Sequence, residues 1–83
     1  MELGEIKFKI ANGLRGLETH NNSEVKSRKV YNERLAALNN LLDICEKGLQ
    51  EYPIQSLMDM KYRIKHSIQI MEFANEMGVI TEP

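Results

Sequence analysis

The chain has 83 residues, enough for one small domain in which surface outweighs core. Eleven basic residues against twelve acidic ones give a formal charge of −1, which excludes bulk attraction to DNA or to anionic lipid. Cys45 is the single cysteine, which excludes an internal disulfide and a cysteine-rich metal site.

Domains of this size rely on disulfides, a metal, well-formed helix packing or oligomerisation. With the first two set aside, helix packing and self-association remain. An unpaired cysteine and the absence of a signal-peptide pattern point to a reducing, cytoplasmic setting. The apolar runs are too short for a membrane span. Five methionines, no tryptophan and many asparagines suit an AT-rich bacterial or viral genome.

The first predicted helix covers residues of about 2–18. Leu3, Ile6, Ile10, Leu14 and Leu17 form a narrow stripe at helical spacing. The stretch EIKFKI also alternates like a strand, with Ile6, Phe8 and Ile10 on one face. A lone strand has nothing to pair with in a chain otherwise helical, so helix is the reading. Gly13 and Gly16 each weaken it by about 1 kcal/mol relative to alanine. Residues 19–23 form a polar linker, with His20 in it.

The second helix is predicted at about 24–52, capped by Ser23 with Glu24 in the first turn. Tyr31, Leu35, Leu38, Leu42, Cys45, Leu49 and Tyr52 recur at steps of four and three, the spacing of a coiled-coil seam. Val30, Ala37, Leu41 and Ile44 widen the seam, and a stripe this broad calls for two neighbours. Pro53 ends the helix because Tyr52 before it is pushed out of the α region.

The third helix restarts at once, at about 54–77. Pro53 suits its first position, Ser56 with Asp59 offers a capping box, and Gly78 stops it. Leu57, Met60, Ile64, Ile68, Met71 and Ala74 form its main stripe. Residues 78–83 are left as a tail. So tight a junction predicts an antiparallel hairpin. The expected fold is all-α, a long helical hairpin with a shorter N-terminal helix, as a single domain over 1–83. It is either a three-helix bundle or a hairpin dimer.

Antiparallel register sets Lys61 level with Glu46, Lys65 near Asp43 and Glu72 near Arg34, which reads as charge-guided pairing of the two helices. Basic residues at the start of a helix and acidic ones at its end oppose its dipole, so the pattern of charge blocks along the hairpin serves something other than isolated helix stability.

Cys45 lies on the seam and His66 on the opposite side of its own helix, so no Cys–His dyad is expected. Metalloprotease, phosphate-loop and nucleophile-elbow motifs are absent. The reading is therefore not an enzyme, with no cofactor and no metal. Tyr62, His66, Ile70, Phe73 and Met77 form a second face on the third helix, away from the main stripe. One short N-terminal helix cannot cover both this face and the wide seam. A strip of aromatic, methionine and histidine residues is a composition favoured at interfaces.

The function expected is that of a small intracellular interaction module. It would be a stoichiometric regulator or inhibitor of bacterial or phage type that binds a larger protein, and a homodimer. The alternative is a dimeric nucleic-acid-binding regulator that uses Lys26, Arg28, Lys29 and Arg34.

Overall fold

The computed structural model describes all 83 residues. It contains α1 (Leu3–Leu17), α2 (Arg28–Glu51) and α3 (Gln55–Glu76), with a single isolated parallel bridge and no β-strand. Burial decides the ambiguity at the N-terminus. Ile6, Ile10 and Leu14, one helical turn apart, are all buried, whereas Phe8, which a strand would place beside them, is 70% exposed. Burying each of the three contributes roughly 1.5–3 kcal/mol.

α1 lies antiparallel to α2, since Gly13 meets Leu41 while Ile6 meets Gly48. Both glycines permit this close approach. A Cβ on Gly13 would lie 2.7 Å from both Leu41 methyls, and one on Gly48 would lie 3.0 Å from Ile6 Cγ2. The glycine at 13 is thus a packing feature, not merely a weak point in the helix. Gly16 faces open space and has no such role.

The seam of α2 is divided by depth. Tyr31, Leu38, Leu41, Cys45 and Gly48 are buried, while Leu35, Leu42, Leu49 and Tyr52 are half-buried at the flank of the core. The breadth of the stripe has its cause here, because α2 packs against both α1 and α3. The connection to α3 is Tyr52–Pro53–Ile54, and Tyr52 sits at φ −131, ψ 81, outside the helical region as the following proline requires. Near this turn the Cys45 thiol donates to the Leu57 carbonyl at 3.2 Å. Farther along, Asn39 and Leu42 flank Lys65, Ile68, Gln69 and Glu72, as an antiparallel hairpin requires. The molecule measures 40 × 17 × 17 Å.

Several local expectations are corrected. α2 begins at Arg28, not near residue 24. Ser27 is its cap, accepting from the Val30 N–H at 3.4 Å. Ser23 bonds instead to Asn21, and the Glu24 carboxylate accepts from the His20 and Asn21 N–H groups at 3.2 Å, tying off a turn. The linker therefore runs through residue 27 and buries Thr19 and Val25. At the start of α3 Ile54 is the cap residue, so Pro53 lies before the helix. The Ser56–Asp59 box gives way to a bond from Gln55 Nε2 to Asp59 Oδ1 of 2.9 Å.

Gly78, at φ +75, ends α3 as expected. The Val79 N–H bonds to the Ala74 carbonyl and the Gly78 N–H to that of Asn75, a Schellman arrangement. The residues that follow are not a loose tail. Ile80 is buried, the Arg28 N–H donates to the Glu82 carbonyl at 2.7 Å, and the Glu82 N–H donates to the Lys26 carbonyl at 3.0 Å. Ser27 Oγ also donates to the Pro83 carbonyl at 3.0 Å. α1 covers the turn end of the hairpin, and the linker with this clasp closes the open end.

The expected charge pairing across the hairpin does not form. No ion pair joins α2 to α3; Asp43 is taken by Lys47 one turn along its own helix at 3.0 Å. The helices are level as supposed, but Glu46, Lys65 and Glu72 are exposed to solvent and unpaired. No helix is long and apolar enough to cross a membrane.

Candidate partner-binding surface

α3 buries one side, through Leu57, Ile64, Ser67, Met71 and Ala74. At about 100° per residue, Tyr62, His66, Ile70, Phe73 and Met77 share an arc of about 80° on the opposite side. α1 and α2 occupy the buried side, so no helix of the chain covers this arc. Tyr62 is 70% exposed, Phe73 55% and Met77 57%. His66 is exposed and Ile70 half-buried. The Tyr62 and His66 rings stack with centroids 6.0 Å apart and planes 6° from parallel, as their one-turn spacing allows.

Beside the strip lies a cleft of about 530 Å³ lined by His20, Asn21, Asn22, His66, Gln69, Ile70 and Phe73. Its outer wall is the turn that Glu24 ties off. Asn22 Nδ2 reaches across to the Met77 sulfur at 3.5 Å. On the other flank of α3 a furrow of about 190 Å³ runs against α2, lined by Asn39, Leu42, Lys65, Ile68, Gln69 and Glu72. Gln69 borders both depressions and marks the crest of the ridge between them.

The wall of the cleft is held by two contacts at the end of α1. Arg63 donates to Glu18 through Nε at 2.9 Å and through Nη2 at 2.7 Å, a bidentate pair. These hydrogen bonds hold the Glu18 carboxyl below its ordinary value and raise the Arg63 guanidinium above its own. His20 Nε2 lies 3.9 Å from the same carboxylate. Beneath them the buried Thr19 N–H donates to Ser67 Oγ at 3.0 Å.

All five strip residues are thus brought together on one face, and Met58, 46% exposed, extends the strip by one turn. The wall formed by His20, Asn21 and Asn22 was not foreseen. It depends on contacts 45 and 48 residues apart in sequence, which no local pattern signals. Met58 was within reach of the helical spacing.

The basic residues are arranged differently. Lys26, Arg28 and Lys29 are exposed and Arg34 is half-buried. None of them is in an ion pair, and the Arg28 guanidinium lies 5.2 Å from the Tyr31 ring. At about 100° per residue, Arg28, Lys29 and Arg34 point in three directions, so they do not form one face.

Cys45 and His66 are not brought together. Cys45 is fully buried, and burial pushes its thiol above the ordinary value, which suppresses the thiolate. No group of three or more histidine, cysteine, aspartate or glutamate side chains is placed to hold a metal ion. No family model, curated protein or solved structure matches the chain.

Proposed function

We propose that this protein is an interaction module that acts by stoichiometric binding to another protein, with the outward face of α3 as its binding surface. One observation carries the reading. Tyr62, Phe73 and Met77, each more than half exposed, stand in line on a domain whose core is already closed by α1, the linker and the clasp. An aligned patch of large apolar side chains that no helix of its own chain covers is the usual mark of an interaction site. A domain this small suits a regulator or inhibitor that occupies a surface on a larger protein.

The test compares the wild type with a Tyr62→Ala, Phe73→Ala double variant, both immobilised and exposed to extract from the source cell. The wild type should retain a protein in near-equimolar amount that the variant loses, with the circular dichroism of the two unchanged. An identical retained set would sink the reading.

A second reading has one observation in its favour, the unpaired state of Lys26, Arg28 and Lys29. As a nucleic-acid contact it requires binding that falls steeply with salt, because phosphate contacts release counterions. Lys26→Glu with Lys29→Glu would abolish such binding and leave the α3 interaction intact.

A further inference from the structure

The charges beside the strip pose a question. Lys61, Lys65, Glu72 and Glu76 lie along one flank of α3, within an arc of about 60° at about 100° per residue. Their order is two basic residues followed by two acidic ones, and none has an ion-pair partner within the chain. Alone, the arrangement is unfavourable. Like charges four residues apart repel, and basic residues early with acidic residues late oppose the helix dipole.

A row that reads plus, plus, minus, minus is complementary to its own reverse. We propose that in the free protein the α3 face pairs with the same face of a second copy, the two α3 helices running antiparallel about a two-fold axis near Gln69. The inference rests on the reading of this face as a binding surface and names its occupant. In this arrangement Lys65 meets Glu72 of the second copy and Lys61 meets Glu76, and the two-fold forms each pair twice. Charges flanking a helical seam select orientation and partner in this way.

The apolar residues follow the same register. Met58 lies opposite the second copy's Met77, and Tyr62 opposite its Phe73. The second copy's Tyr62 arrives at the rim of the cleft walled by His20, Asn21 and Asn22, where Ile70 and Phe73 offer apolar surface. The row spans roughly 23 Å at about 1.5 Å per residue, four turns of helix in mutual contact. A parallel pairing lacks this match. It sets the charged row against the flank that carries Arg63, which Glu18 already holds, and nothing there answers Lys65 or Glu72.

Sedimentation equilibrium tests the proposal on the wild type, Lys65→Glu, Glu72→Lys and the combined charge swap. The wild type should dimerise with a Kd in the micromolar range. Each single variant sets like charges together twice and should weaken the dimer by about tenfold. The swap restores both pairs with reversed sign and should return the Kd close to that of the wild type, with helical content unchanged throughout. Gln69→Cys, close to the axis, should oxidise to a linked dimer, and Lys47→Cys should not. A swap no tighter than the single variants would overturn the proposal, as would a wild type that stays monomeric up to about millimolar concentration. In the latter case, continued loss of a cellular partner from the Tyr62→Ala, Phe73→Ala variant would show that the self-pairing alone has failed and the α3 surface stands.

Discussion

Ser67 is the residue on which the junction of α1 and α3 turns. It is fully buried in an apolar stripe, and its Oγ accepts the N–H of Thr19, itself 1% exposed. Leaving α1 without a glycine cap, the chain must satisfy this N–H away from water, and the hydroxyl supplies the only partner it has. Ser67→Ala removes little volume but strands a buried donor. It should cost about 1–3 kcal/mol, read as a shift in the urea midpoint at constant m. A cost below about 0.5 kcal/mol would mean that water replaces the hydroxyl. Cys45 is the comparable case in α2, a small buried group whose thiol finds the Leu57 carbonyl, and packing describes it better than reactivity.

At the scale of elements, the helices and most of their ends were legible from spacing and stop signals, and the start of α2 was not. Four-three recurrence located α2 and α3, Pro53 separated them, and Gly78 marked a stop that the backbone obeys with positive φ. The start of α2 was misplaced because Ser23 followed by Glu24 resembles a cap as well as Ser27 does. What decides between them lies at the far end of the chain. Glu82 offers its carbonyl and N–H to residues 26–28, which holds this stretch extended and lets Val25 turn inward. The α3 strip was legible by counting faces against available cover, whereas its cleft wall was not, since the linker is placed by Arg63 and Ser67. The clasp can be weighed directly. Ile80→Ala removes a buried side chain at the open end of the hairpin and should cost about 2 kcal/mol, or about 10 °C in Tm for a domain of this size. Hydrogen exchange should show the Arg28 and Glu82 amides losing protection first. Unchanged Tm would mean that the terminal segment adds nothing to the fold.

The whole molecule is tied together by one ion pair between elements, Arg63 with Glu18, and this sets an expected dependence on pH. Glu18 is held below its ordinary value in the folded state, so its contribution to stability is present above the unfolded carboxylate value of about 4.3. It is lost as pH falls through the lower folded value. Arg63 is half exposed, so the pair is worth at most about 1 kcal/mol at neutral pH. Glu18→Gln should therefore be less stable than the wild type at pH 7, and the gap should close in strong acid. A gap that stays constant with pH would assign the effect to packing and not to charge. The clasp has a consequence for how the protein is made. α1, α2 and the first half of α3 leave the ribosome with the open end of the hairpin still uncovered, because Met71 and Ile80, which share one core cluster with Val25 and Tyr31, come later. The core is completed only when residue 80 is clear of the ribosome, so a chain released just short of it should be helical yet still open to proteases and chaperones.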